Sequence, residues 1–132
     1  MPRPRDVACA HGSVEQGARH ADATARPSIS VVVPTFGRPR ELRGCLEALA
    51  ELDYPCERYE VVVVDDGSDP PVVPWAGAAD AGLRMHWLRQ ANAGPAAARN
   101  AGARAATGEI LAFTDDDCRP ASDWLSAIAA AL

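Results

Sequence analysis

The chain has 132 residues and a net charge of −5, and all 13 of its basic residues are arginine. The absence of lysine excludes a phosphate-binding loop ending in Gly-Lys-Ser/Thr and any lysine Schiff base, and the acidic balance argues against a nucleic-acid-coating surface. A 48% apolar and 23% charged composition fits one soluble globular domain, and no apolar run approaches the roughly 20 residues of a bilayer span.

Residues 1–28 mix Pro, Arg, Ala, Gly and Ser without apolar periodicity and are expected to form a mobile leader, with His11 and His20 solvated in it. Residues 29–132 are expected to form the folded domain. Cys9, Cys45, Cys56 and Cys118 are widely spaced with no CxxC pair, so they read as reduced and structural rather than as metal or redox groups. With no signal peptide, the chain is expected in the cytoplasm, or at the inner membrane face if a longer parent carries membrane segments.

A β-branched run, Ile29-Ser-Val-Val-Val33, predicts a buried strand stopped by Pro34. Pro39 suits a first helical turn, and Leu42, Cys45, Leu46 and Leu49 then recur at helical spacing. Glu60-Val-Val-Val-Val64 predicts a second strand, ended by Asp65-Asp66-Gly67-Ser68. Residues 70–82 suit one short helix with loops, and 84–89 a third strand. Residues 96–106 predict a helix closed by Thr107-Gly108, and 109–113 a fourth strand running into Thr114-Asp115-Asp116-Asp117. Ser122 or Asp123 is placed to cap a last helix carrying Trp124, Leu125 and Ile128. Trp75, Trp87 and Trp124 read as core or half-buried anchors, and His86 as part of a strand wall.

This order predicts an α/β fold, a mostly parallel sheet flanked by helices. Such sheets bind ligands beyond the carboxyl ends of their strands, where three segments would gather: Pro34-Thr-Phe-Gly-Arg38, Asp65-Asp-Gly-Ser68 and Thr114-Asp-Asp-Asp117. Asp115 and Asp117, two apart on an extended segment, would share a face, with Asp116 turned elsewhere. Their mutual repulsion would be relieved by Mg²⁺ or Mn²⁺, which prefer oxygen ligands and are completed by substrate phosphates; a solvated acidic loop is the plainer alternative. Asp65-Asp66 suits either a base N–H or ribose hydroxyl, or simply a turn. Phe36 could stack on a base. Arg38 and Arg99 could meet a diphosphate or carboxylate, or only surface acids. Asn92, Gly94, Asn100 and Gly102 read as turn and packing residues.

Four segments in order resemble the family-two glycosyltransferases of the GT-A fold: Val31-Val-Val-Pro-Thr-Phe-Gly-Arg38, Glu60-Val-Val-Val-Val-Asp-Asp-Gly-Ser68, Asn92-Ala-Gly-Pro-Ala-Ala-Ala-Arg-Asn-Ala-Gly102 and Gly108-Glu-Ile-Leu-Ala-Phe-Thr-Asp-Asp-Asp117, followed by Pro120 and Asp123-Trp-Leu125. The resemblance implies a nucleotide-sugar donor, usually a UDP-sugar, and an acceptor glycan, lipid or other hydroxyl compound, with no nucleic acid. It implies that Pro34, Thr35 and Phe36 border the base and that Asp66 accepts from the uracil edge. Asp115-x-Asp117 matches the family's DxD motif, with Asp117 as the direct metal ligand and Asp115 or Asp116 at the ribose or the metal's waters. Arg99 falls at a recurrent family arginine, whereas Gly37 replaces a common asparagine. In the family the general base lies well downstream of the DxD motif, so the resemblance implies only the donor-binding portion here, with the catalytic base unassigned. Three other readings compete. One is a non-catalytic nucleotide-binding or interaction module. A phospho-receiver lacks its lysine here, and a dinucleotide dehydrogenase lacks GxGxxG after the first strand.

Overall fold

In the computed structural model, residues 26–132 are described; residues 1–25 of the expected leader, with Cys9, His11 and His20, lie outside them. Residues 26–28, assigned to that leader from sequence, are tied to the domain. Tyr54 Oη donates to the carbonyl of Pro27, Arg58 donates to that of Arg26, and Ser28 and Glu109 exchange bonds.

The elements run β1 (Ile29–Thr35), α1 (Pro39–Ala50), a 3-10 turn (Cys56–Arg58), β2 (Tyr59–Asp65), α2 (Gly77–Asp80), β3 (Met85–Arg89), α3 (Pro95–Ala105), β4 (Ile110–Phe113) and α4 (Trp124–Ala131). The strands lie in the order β3-β2-β1-β4, and every pairing is parallel. All four therefore point their carboxyl ends to the same rim.

The two central strands, β1 and β2, are buried on both faces. Val31, Val33, Val61 and Val63 pack with Leu42, Cys45, Leu46 and Leu49 of α1 and Leu125 of α4. Val32, Val62 and Val64 pack on the other face against Ala98 of α3. Each such aliphatic side chain contributes about 1.5–3 kcal/mol by leaving water. Trp75, Trp87 and Trp124 are half-buried anchors on the first of these clusters, as expected. Gly102 brings α3 close to the sheet: a Cβ there would run into Val32. Cys45 and Cys118 are free thiols, but Cys56 is disulfide-bonded, which corrects the expectation of reduced cysteines at that position.

Several boundaries differ from those expected, each for a physical reason. β1 runs through Pro34 to Thr35. Thr114 N–H donates to the carbonyl of Val32, so Val32 and, two residues on, Pro34 face β4; pairing with β4 ends at Val32↔Phe113, and no ladder bond is lost at the proline. α3 starts at Pro95, behind Gly94 with φ 99°, and stops at Ala105, leaving Gly108 to press on Ser30 rather than cap the helix. Asp123 precedes α4, but its side chain makes no capping bond. No helix among the described residues is long and apolar enough to cross a membrane.

Away from the rim, toward the amino ends of the strands, Glu60 is buried in a polar cluster. Its carboxylate accepts from Ser30 Oγ at 2.6 Å and from the Thr107 N–H and hydroxyl at 2.8 and 3.0 Å, while His86 Nε2 lies 2.9 Å away. Burial opposes its charge, but these bonds more than offset that and hold its pKa below the ordinary glutamate value.

Candidate functional site

A cleft of about 580 Å³ opens at the carboxyl rim, and every site residue expected from sequence lines it: Pro34, Thr35 and Phe36 from β1 and its loop, Asp66 after β2, Arg99 from α3, and Asp115, Asp116 and Asp117 after β4. Arg38, Asn92, Gly94, Pro95 and Ala98 complete the wall. Phe36 presents an exposed ring at this edge.

The two aspartates ending β2 have separate surroundings. Asp65 closes the turn beyond the strand: its carboxylate accepts from the backbone N–H of Ser68 and of Val72, and Arg89, its register partner on β3, donates at 2.7 Å. Burial alone would raise its pKa, but these donors hold it below the ordinary aspartate value. Ser68 Oγ in turn accepts from the Gly37 N–H at 2.8 Å, tying this turn to the loop after β1. Asp66 faces the cleft. Gln90 Nε2 and the Ala93 N–H donate to its Oδ1 at 2.8 and 2.9 Å, and the Gly94 N–H and Asn92 Nδ2 donate to its Oδ2 at 3.0 and 3.2 Å. The Gln90 bond chiefly, with the two backbone donors, depresses its pKa. Gly67, at φ 88°, lets Asn92 approach so closely that a Cβ would sit 2.7 Å from its backbone nitrogen.

Alternation along the acidic segment is visible in exposure. The side chains of Asp115 and Asp117 are 67% and 50% exposed, whereas that of Asp116 is 8% exposed. Asp116 Oδ2 accepts the Thr35 hydroxyl at 2.8 Å. Its pKa is raised, first by burial and further by Asp117, against the lowering effects of Thr35 and Arg38. Each exposed carboxylate faces an arginine: Arg38 Nη1 donates to Asp117 Oδ2 at 3.1 Å, and Arg99 Nη2 lies 4.0 Å from Asp115 Oδ1.

One ligand atom each from Asp115, Asp117 and Cys118 falls within 4.8 Å of the others, all on exposed side chains. Two carboxylates on an open rim fit Mg²⁺ or Mn²⁺, ions that take one or two protein carboxylates and fill the remaining positions with water and phosphate oxygens. The Cys118 thiol is a softer donor than those ions prefer.

Sequence reasoning missed Gln90 and treated Asn92 and Gly94 as turn residues only. Asn92 and Gly94 carried a visible turn signal. Gln90 carried none, because its place beside Asp66 follows from the β2–β3 register, in which Asp65 lies opposite Arg89.

Comparison with known proteins identifies the fold and the family. The glycosyltransferase AglE of Haloferax volcanii is 36% identical over 102 residues, covering 75% of this chain and 33% of that protein. Two solved structures share the fold. TarS of S. aureus in complex with UDP-GlcNAc has a TM-score of 0.65 at 30% identity, over 78% of this chain and 30% of that one. The mannosyltransferase PcManGT of Pyrobaculum calidifontis, in complex with GDP-Man and Mn²⁺, has a TM-score of 0.66 at 33% identity, over 81% of this chain and 33% of that one. The chain thus spans about a third of the length of these relatives. Residues 30–132 match the family described as Glycosyl transferase family 2 across the whole sheet and all three rim segments, and the chain belongs to that family.

Proposed function

We propose that residues 29–132 form the donor-binding domain of a glycosyltransferase, holding a nucleotide sugar, by preference a UDP-sugar, in the rim cleft for transfer to the hydroxyl of a glycan, lipid or other acceptor. The observation that carries this reading is the convergence of Thr35, Phe36, Asp66, Arg99 and the Asp115–Asp117 segment on one cleft. Its volume, about 580 Å³, lies within the range of small-molecule sites. The complexes of TarS with UDP-GlcNAc and of PcManGT with GDP-Man and Mn²⁺ support the ligand class.

In this reading Phe36 stacks on the base with Pro34 and Thr35 at its border. Asp66 meets the base edge by yielding the Gln90 or Asn92 amide while the Ala93 and Gly94 N–H groups keep it in place. Asp117 and Asp115 hold Mg²⁺ or Mn²⁺, which when bound neutralises the diphosphate leaving group. Arg99, on the first turns of α3, faces the diphosphate with a planar fork suited to phosphate oxygens.

Titration calorimetry with UDP on the folded chain tests this. Binding is expected in Mn²⁺ and is expected to weaken with chelator; equal affinity in both would overturn the metal assignment, and no binding of UDP or GDP in either would overturn the donor site.

A further inference from the structure

We propose that Arg38 competes with the divalent metal for Asp117, and that handing its guanidinium from that carboxylate to the nucleotide's diphosphate adds to the cooperativity of metal and nucleotide. This inference rests on the donor-site reading above.

Arg38 directly precedes α1, and its Nη1 reaches two carboxylates of the acidic segment: Asp117 Oδ2 at 3.1 Å and Asp116 Oδ1 at 3.7 Å. Asp117 Oδ2 is thus held by a cation that belongs to the protein. A metal ion bound through that oxygen takes the position Nη1 uses and sets a divalent charge beside a guanidinium. The two cations repel, so metal binding alone must break the Arg38–Asp117 pair and leave the guanidinium only its longer contact with Asp116.

A diphosphate changes the balance. Arg38 lines the same cleft as Thr35, Asp66 and Arg99, and its side chain is half exposed, free to swing on its own stem. Its fork matches phosphate oxygens. With the nucleotide present, the guanidinium that leaves Asp117 finds a new anion in the cleft. The cost of freeing Asp117 is then offset, and the metal binds more tightly. Linkage requires the converse: the metal must strengthen nucleotide binding by the same factor. A surface arginine thereby adds to the coupling that the metal's own attraction for the diphosphate supplies.

The test is Mn²⁺ affinity of the full chain, read from the loss of the free-ion signal in electron paramagnetic resonance, with and without saturating UDP and in a parallel arm with GDP. Without nucleotide, Arg38→Gln is expected to bind Mn²⁺ about two- to fivefold more tightly than the unmodified chain, the range expected for release of one exposed ion pair. With nucleotide that advantage is expected to vanish, so the enhancement of Mn²⁺ affinity by UDP or GDP falls by at least the same factor. Arg38→Lys, which keeps the charge and loses the fork, is expected to lie between. Arg40→Gln, which removes an equal charge two residues away, is expected to leave Mn²⁺ affinity at its starting value. Circular dichroism confirms that each variant is folded.

The inference is overturned if Arg38→Gln gains no Mn²⁺ affinity in the absence of nucleotide, or if Arg40→Gln gains as much, since simple charge removal then explains the change. If the unmodified chain binds no Mn²⁺ even with UDP or GDP, the metal reading itself falls and this inference with it.

Discussion

The Thr35 hydroxyl, at the end of β1, donates to the buried carboxylate of Asp116, 81 residues later, at 2.8 Å. This bond joins the first rim segment to the third and orients Asp116 inward while its neighbours project into the cleft. It also holds a carboxylate where ionisation is disfavoured, since burial raises the Asp116 pKa. For a group whose folded pKa is raised, the favourable contribution is full below the unfolded value and is lost as pH rises through the folded one. Once ionised, the buried carboxylate therefore lowers the stability of the fold.

The first prediction follows from that sign. Asp116→Asn keeps an acceptor for Thr35 and removes the charge, so in chelator at neutral pH it is expected to raise the melting temperature by about 2–6 °C. Asp116→Ala, which strands the Thr35 hydroxyl, is expected to lower it. Differential scanning calorimetry distinguishes them; an equal fall in both would show that the charged form is what the fold prefers.

Asp117→Ala is expected to abolish the dependence of UDP affinity on Mn²⁺, leaving binding close to the chelator level of the unmodified chain. Asp115→Ala is expected to weaken that dependence less severely. Both side chains are half or more exposed, so neither change should move the melting temperature by more than about 2 °C. Calorimetric titrations on the two variants check this, and an intact Mn²⁺ response in Asp117→Ala would reassign the ligand.

Asp66 acts on both structure and binding, which makes its prediction two-sided. Asp66→Ala removes the acceptor for Gln90, Ala93 and Gly94 together, leaving Asn92 only the Asp66 backbone carbonyl, and is expected to destabilise the chain by about 1–3 kcal/mol and to weaken UDP binding with or without metal. Gln90→Ala frees one lobe of Oδ1 and leaves the backbone donors in place. If the base edge uses that lobe, UDP affinity should hold or rise; a loss as large as that of Asp66→Ala would assign Asp66 a purely architectural role. Urea unfolding and calorimetry together read both sides.

The pH dependence of stability is expected to be dominated by Glu60, Asp65 and Asp66, whose pKa values are all depressed in the fold. Their contribution is present above the ordinary carboxylate range, about pH 4, and is lost as pH falls through the depressed values. Asp116 works in the opposite sense and is outnumbered. Urea midpoints measured from neutral pH downward are expected to fall steeply below about pH 4; a midpoint that holds through that range would show the three carboxylates to be unperturbed.

The strands and the rim were legible in the sequence because both rest on local signals. Uninterrupted β-branched runs mark strands buried on two faces, and in a parallel sheet strand ends must share one edge, so Thr35, Asp66 and Asp117 group together from the sequence alone. Pro34 misled because its effect depends on which neighbour its nitrogen faces, a property of pairing rather than of composition. The Glu60 cluster was invisible for a related reason: Ser30, His86 and Thr107 come from two neighbouring strands and the loop before β4, and only the folded sheet brings them together. The same holds for Gln90 beside Asp66. Read alone, Asp-Asp-Gly-Ser suggested either a turn or a ligand site; the structure divides the two between adjacent aspartates, with Asp65 closing the turn and Asp66 lining the cleft.

Gly102 touches nothing in the cleft, yet it sets how far α3 stands from β1, because any side chain there would meet Val32. The opening turns of that same helix supply Pro95, Ala98 and Arg99 to the cleft wall. The wall is thus adjustable from behind, like a jaw set by a spacer at its hinge. An added methyl at position 102 would push the helix outward and widen the mouth facing Asp115, so the size of ligand admitted could drift through a residue that no ligand ever meets.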